Sequence, residues 1–186
     1  MTNAKSPKPN FKYMKIKRPE LNEYDPFYQG YVDCVPDEHI FSFMEDQLED
    51  FEDVLLSFSF DGLGYRYAAN KWSIAEVIGH MIDVERMMAF RAFSIARGEK
   101  QQLPSFDQDA YVKNGKFDLR SKNSLLEEME GLRVASMKMI ETFDDEFLQR
   151  TGIASGLSFS VRSLVYIIPG HFQHHLNILK SKYMKH

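Results

Sequence analysis

Two histidines near the C-terminus have the spacing of a metal-binding pair. His171 and His175 are four residues apart. On a helix, at about 100° per residue, they lie about 40° apart around the axis and one turn apart along it. Two imidazoles that project in the same direction can bind a single metal ion. His174 lies about 100° from His175 around the same helix, so it does not share that face.

The histidine pair interrupts an apolar stripe that predicts a core-facing helix. The apolar members recur at helical spacing and are Leu164, Ile167, Ile168, Ile178 and Leu179. Buried polar groups need partners, so a metal ion, a buried carboxylate or backbone carbonyls would have to satisfy the two imidazoles. Two stacked histidines favour the metal. Pro169, just before the pair, should kink or locally unwind the helix, and the alternative is two helices broken at that proline.

His80 is the candidate for a third ligand, because one helix face alone gives an open and weak site. It lies in another amphipathic segment, which begins at Ser73, where an S-x-x-E capping box with Glu76 predicts a helix start. His80 sits on the flank of that segment's apolar stripe. This position permits a ligand and equally suits a boundary histidine. Glu76 and Asp83 are close enough along the helix to accept its second ring N–H.

Acidic residues offer candidates for proton transfer. Glu85 projects within the apolar stripe of the same segment, where an unpaired carboxylate would be costly. It is either an acid or base near the metal or half of a buried pair with an arginine such as Arg86 or Arg91, and we favour the pair. Asp107 and Asp109 could hang over the open position of the metal, although capping and solubility are the favoured roles for them.

Four amphipathic segments predict the helices that carry these residues, because apolar positions recur every three or four residues. The segments cover residues 37–58, 73–98, 124–143 and 160–183. Residues 101–123 are expected to form a long loop that covers one end of a bundle, and residues 152–156 mark a turn that could close a short hairpin. Ser124 and Glu127 repeat the S-x-x-E pattern and predict the start of the third helix.

The N-terminal part has a different character. Residues 1–35 are rich in Pro, Tyr and Lys and have no helical period, so they are predicted to form an extended arm that packs on a helical domain comprising residues 36–186. The rings expected to be buried by this packing are Tyr24, Phe27, Tyr28 and Tyr31. The basic cluster in residues 5–18 is interpreted as a solvated tail.

The composition is that of an ordinary soluble globular protein. The 186 residues are 44% hydrophobic and 27% charged, and the formal net charge of −4 provides no general basic field for nucleic acid. No apolar run is long enough for a signal peptide or a membrane span. Cys34 is the single cysteine, which excludes an intramolecular disulfide. We therefore expect a cytoplasmic protein that binds neither nucleic acid nor membrane.

Several motifs, taken together and in order, resemble the DinB/YfiT-like superfamily of metalloenzyme-type proteins. They are KWSIAEVIGHMIDVER at 71–86, RG at 97–98, LPSFD at 103–107 and GHFQHHL at 170–176. The resemblance covers residues 24–183 and implies that His80, His171 and His175 bind one divalent transition metal ion, zinc or nickel, often within a homodimer. With the four segments it predicts an all-α fold, an up-down-down-up four-helix bundle. Pro169 departs from the pattern, where small residues are more usual.

The resemblance also bounds the function. Characterised members include thiol-dependent S-transferases and isomerases that use low-molecular-weight thiols, and metal-dependent hydrolases. We therefore expect a metal-dependent enzyme that activates a thiol cosubstrate or water against a small-molecule substrate. The alternative is a non-enzymatic, stress-related metal-binding bundle in which the ion is structural. The catalytic residue is left open among Glu85, Asp107 and His174.

Overall fold

Four long helices form the body of the protein. A computed structural model of the chain describes residues 15–37 and 39–184. Within them the seven α-helices are α1 (Gln29–Val32), α2 (Ile40–Ser57), α3 (Ile74–Ala96), α4 (Gln108–Gly115), α5 (Lys122–Ile140), α6 (Asp145–Gln149) and α7 (Val161–Ile178). Helices α2, α3, α5 and α7 are the bundle, in which α3 packs most extensively against α7 and α5, and α2 packs against α5 and α7.

The core shows how the four helices are oriented. One apolar cluster joins the first halves of α3 and α5 to the second halves of α2 and α7. The other joins the second halves of α3 and α5 to the first halves of α2 and α7. Helices α3 and α5 therefore run in one direction and α2 and α7 in the opposite one. In chain order this is the up-down-down-up arrangement predicted from the sequence.

Local sequence explains most of the helix boundaries. The capping box at the start of α3 is present, with the Ser73 hydroxyl accepting from the Glu76 N–H and the Glu76 carboxylate accepting from the Ser73 N–H. The predicted start of the third helix was wrong by two residues, because Ser121 caps α5 by accepting from the Ser124 N–H. Helix α7 continues through Pro169, so the alternative of two helices broken there is wrong. One π-helical turn, Leu179–Tyr183, extends it.

The segment between α3 and α5 is more ordered than the predicted loop. It contains α4 and a 3-10 helix, Phe117–Leu119. A fragment before α4 contacts the expected hairpin through a bridge between Leu103 and Ala154. Strands β1 (Thr151–Ala154) and β2 (Leu157–Ser160) form this antiparallel hairpin. Ser155 and Gly156 both have positive φ at its tip, as a two-residue hairpin turn requires.

The N-terminal arm packs on the bundle but is not simply extended. It contains a 3-10 helix, Pro26–Tyr28, followed by α1. Tyr24 and Tyr28 are buried as predicted, and Tyr31 is half-buried. The prediction for Phe27 was wrong. The residue is 70% exposed, because the 3-10 helix that buries Tyr28 directs Phe27 outward.

Polar contacts tie the arm to α7. Glu23 accepts hydrogen bonds from the Ser160 hydroxyl and from Arg162, and the Tyr166 hydroxyl donates to the Ile16 carbonyl over 2.8 Å. The arm is therefore held at the same helix that carries the histidine pair. The basic residues 5–14 of the predicted tail lie outside the described residues. None of the described helices is long and apolar enough to cross a membrane.

Candidate metal centre

The structure brings three histidines from two antiparallel helices together. His80 lies in the second turn of α3, and His171 and His175 lie one turn apart on α7. Their ring centroids are 4.5 Å apart for His171 and His175, 5.0 Å for His80 and His171, and 4.8 Å for His80 and His175. One ring nitrogen from each lies within 4.8 Å of the other two. Three nitrogen donors thus converge on one point.

Burial keeps these imidazoles neutral. The exposed fraction is 3% for His80 and 5% for His171, and His175 is half-buried. Desolvation lowers the pKa of His80 to about 4, with a further contribution from His174. It lowers the pKa of His175 to about 3 and that of His171 well below its usual value. At neutral pH each of the three rings therefore has one unprotonated nitrogen, which is the form that binds a metal ion.

A glycine directly precedes both His80 and His171, because another part of the chain comes very close to the backbone at these positions. A Cβ on Gly79 would lie 2.2 Å from the ring of Phe117, and a Cβ on Gly170 would lie 2.1 Å from the carbonyl oxygen of Tyr31. No side chain fits at either position without a shift of the neighbour. The glycine of each Gly-His dipeptide is therefore required by tight packing next to the candidate ligands.

Two aromatic residues at the cluster were not predicted to belong to it. The Trp72 ring centroid lies 4.7 Å from that of His80. The Tyr31 ring lies 5.3 Å from both His171 and His174. Trp72 directly precedes the cap of α3, which is the local signal that it covers the start of the helix. Tyr31 was expected to be buried, but no local signal connected the arm to the histidines.

His174 lies beside the cluster and outside it. Its ring centroid is 5.0 Å from that of His175, and its nitrogens are not among the three that converge. The side chain is half-buried, and burial lowers its pKa. The sequence argument that it does not share the face of the pair agrees with this position.

Comparison with known proteins identifies the fold family. The family model for the DinB superfamily matches residues 44–179, which include all three histidines. The chain belongs to the DinB superfamily. Its structure is similar to that of YfiT from Bacillus subtilis, with a TM-score of 0.69, 12% sequence identity, and coverage of 92% of this chain and 94% of that one. YfiT is described as a probable metal-dependent hydrolase with an unusual four-helix bundle topology. No curated protein matches the sequence.

In this DinB-superfamily chain Glu85 is part of a buried ion pair and is not a member of the histidine cluster. Its carboxylate accepts from Nε and Nη2 of Arg133 at 2.9 to 3.1 Å. The predicted pair therefore exists, but the suggested partners were wrong. Arg86 pairs with Glu128 at 2.5 Å, and Arg91 makes only uncharged contacts. The contacts with Arg133 engage both oxygens of the Glu85 carboxylate in the buried pair.

The other acidic candidates lie in different surroundings, and only Asp109 lines a cavity at the histidine cluster. Asp107 is the N-cap of α4, accepting from the Asp109 and Ala110 N–H groups, so the capping role is the one found. Asp109 lines a cavity together with His175. Glu76, one of the two carboxylates that could have oriented His80, instead caps α3 and pairs with Arg66.

Two cavities flank the histidine cluster of the DinB fold. One, of about 290 Å³, reaches His175 and is also lined by Tyr67, Trp72, Asp109 and Tyr183. The other, of about 170 Å³, reaches His171 and is also lined by Tyr31, Met88, Arg91 and Phe106. Small molecules therefore have space on both sides of the cluster. This arrangement differs from a closed structural site, in which protein ligands fill every position.

Proposed function

We propose that the protein is a metal-dependent enzyme in which His80, His171 and His175 hold one divalent ion that activates water or a thiol for attack on a small substrate. The observation that carries the proposal is the convergence of three neutral ring nitrogens within 4.8 Å. When bound by three imidazoles, such an ion lowers the pKa of water toward about 7 or binds a thiol as its thiolate.

The donor set fits a metal ion better than a hydrogen-bonded cluster. The Nε2 atoms of His80 and His171 are 3.1 Å apart, and a hydrogen bond between them uses one proton and one lone pair. No carboxylate belongs to the cluster within the described residues. A metal ion would use the lone pairs of all three rings. Neutral imidazole suits zinc and nickel alike, and these are the ions we expect.

Residues around the cluster would bind and orient the reactants. Asp109 supplies a carboxylate in the cavity beside His175, and we assign it as the acceptor of the proton released by the attacking group. The Trp72 ring packs against His80 and limits water access on the same side. An external thiol would have to enter through a cavity, because burial raises the pKa of the chain's own Cys34 and its Sγ donates to the Gly30 carbonyl.

The similarity to YfiT supports hydrolysis as one of the two reaction types. That protein shares the fold and is described as a probable metal-dependent hydrolase. Transfer of a low-molecular-weight thiol to an electrophile is the second reaction type that we propose. The homodimer is also part of the proposal, because Phe90 and Phe93 of α3 are nearly half-exposed and a second copy would cover them. The solution mass would test that part.

Elemental analysis of the purified full-length protein tests the proposal first. His171→Ala is expected to lose the ion, whereas His174→Ala, a change of the same residue type three positions away, is expected to keep it. A stoichiometric ion in the His171→Ala protein would refute the ligand assignment. A screen for hydrolysis of small esters and for thiol conjugation would then separate enzyme from structural metal protein. If the ion is only structural, His171→Ala lowers the melting temperature, and the wild-type protein converts none of the substrates in the screen.

A further inference from the structure

Two arginines among the described residues are completely buried, and only one of them has a counter-ion within that part of the chain. Arg133 is 0% exposed and makes a bidentate ion pair with Glu85. Arg91 is 1% exposed, yet its Nη2 donates to the Pro104 carbonyl at 3.0 Å and to the Ser155 hydroxyl at 2.6 Å, both uncharged. Its Nε has no hydrogen-bond partner within the described part of the chain.

An uncompensated guanidinium in the interior is costly. Burying a charge without an opposite charge sacrifices its hydration. Burial lowers the pKa of Arg91, and the neighbouring Tyr28 opposes that effect. A guanidinium nevertheless stays protonated in proteins. Among the described residues Arg91 forms no ion pair with a carboxylate, and its hydrogen bonds go to uncharged groups, so a negative charge from outside the chain would complete the site.

The surroundings of Arg91 show where that charge would come from. Arg91 and His171 line the same cavity of about 170 Å³. Its remaining wall is largely apolar and includes Val84, Met88 and Ile167. The guanidinium carbon lies 5.9 Å from the centroid of the Phe106 ring. On a helix, side chains lean toward the N-terminus, so Arg91 leans toward the end of α3 that carries His80.

We propose that Arg91 binds the carboxylate of a small anionic substrate whose apolar part extends through this cavity toward His171. The binding step needs no metal, whereas the role of this site as a substrate site rests on the proposed function. One guanidinium balances one carboxylate. A phosphate dianion would leave a net negative charge among apolar side chains, which is why we favour the carboxylate. The cavity has the volume of about five or six waters at roughly 30 Å³ each, enough for a short carbon chain.

Titration of pentanoate into the full-length protein tests the proposal, with pentan-1-ol as an uncharged probe of nearly the same shape. We expect pentanoate to bind at least tenfold more tightly than pentan-1-ol by calorimetry, both in the protein as purified and after treatment with a chelator. Arg91→Met should abolish this preference. The matched control is Arg97→Met, which removes the same charge from an exposed arginine that ends the same helix.

Three results would overturn the proposal. The first is equal binding of pentanoate and pentan-1-ol to the wild-type protein, a comparison that decides the matter even if Arg91→Met does not fold. The second is pentanoate binding that survives Arg91→Met but disappears with the chelator, since the anion would then bind the ion. The third is tighter binding of inorganic phosphate than of pentanoate. Binding that persists in metal-free protein and depends on Arg91 supports the site even if no ion is ever found.

Discussion

The guanidinium of Arg133 on α5 and the carboxylate of Glu85 on α3 form a bidentate pair in which both side chains are at most 2% exposed. The same guanidinium donates to the Met44 carbonyl at 3.1 Å and to the Gln47 side chain at 3.0 Å. Gln47 in turn donates to the Pro169 carbonyl of α7 at 2.9 Å. Gln47 Nε2 also donates to the Gln173 side chain at 3.0 Å. One polar network therefore touches all four helices of the bundle and reaches α7 two residues before and two residues after His171.

Removing one partner of this pair should strongly destabilise the fold. Arg133→Met leaves Glu85 as a buried, unpaired carboxylate, and breaking a buried pair in this way costs about 3–5 kcal/mol. Urea unfolding of the variant should show a loss of free energy of unfolding of that size.

The double variant Glu85→Leu/Arg133→Met provides the control for the pair. It removes both charges, so it should recover most of the loss, because well-packed apolar residues often replace a buried ion pair without net cost. A cost below about 1 kcal/mol for Arg133→Met would show that this network contributes little to holding the four helices together.

Close packing at Gly170 predicts that even a methyl group at this position destabilises the protein. In Gly170→Ala the new methyl would lie 2.1 Å from the Tyr31 carbonyl oxygen, a backbone atom that cannot rotate away. The arm and α7 must separate, and overpacking of this kind costs about 1–3 kcal/mol. We expect a lower melting temperature and a lower metal content in the same sample, since His171 adjoins the displaced site.

Gly131→Ala is the matched control for this glycine. Gly131 lies inside α5, and its Cβ would meet nothing within 4 Å. Alanine is favoured over glycine in a helix interior by about 0.5–1 kcal/mol, so this variant should be more stable than the wild type. Equal melting temperatures for the two variants would contradict the packing argument.

The parts of the site that are local in sequence could be predicted, and the parts that depend on distant contacts could not. The spacing of His171 and His175 and the capping box at Ser73 each occupy a few neighbouring residues, and the structure has the rings and the helix start where the patterns indicated. Glu85 was recognised as half of a pair by its place in an apolar stripe. Its partner is 48 residues away on another helix, and only the arrangement of the bundle selects it.

Arg133 and Arg91 nevertheless carried a signal that the sequence argument did not use. Arg133 falls between Met129 and Met137 on the apolar stripe of α5, and Arg91 follows Met88 on that of α3. A charged residue on a core-facing stripe indicates a buried partner or a ligand. Periodicity cannot tell these apart, because the distinction depends on which groups from other helices are nearby.

The assignment of Asp109 as proton acceptor predicts a selective loss of activity. Asp109→Asn keeps the size of the side chain and removes its basicity. We expect kcat to fall by about 10²-fold or more, the lower end of the usual contribution of general base catalysis, with unchanged metal content. The measurement uses whichever ester or electrophile the screen identifies.

Asp107→Asn is the control two residues away. Asparagine caps helices about as well as aspartate, so α4 should stay intact and kcat should change by less than about twofold. An equal fall of kcat in both variants would mean that α4 matters only as a scaffold, and the proton acceptor would have to be sought elsewhere, with His174 as the next candidate.

The lowered pKa values of the histidines predict how acid affects the metal-free protein. Burial brings the pKa of His80 to about 4 and that of His175 to about 3 in the folded chain, against about 6.5 in the unfolded chain. Between these values the unfolded state binds more protons, so the free energy of unfolding falls as pH decreases from about 6.5. Above about 6.5 both states are neutral and this contribution is fully present.

Urea unfolding in the presence of a chelator should therefore show a progressive loss of stability between pH 7 and pH 5, a range in which most carboxylates stay ionised. A pKa difference of this size is worth on the order of 3 kcal/mol for one histidine once pH falls below the folded value. In His80→Gln, which cannot titrate, the slope over the same range should be shallower. A flat stability profile in both the wild type and the variant would mean that the three rings are more hydrated than their burial indicates. It would contradict the proposal that three desolvated, neutral imidazoles form the metal site.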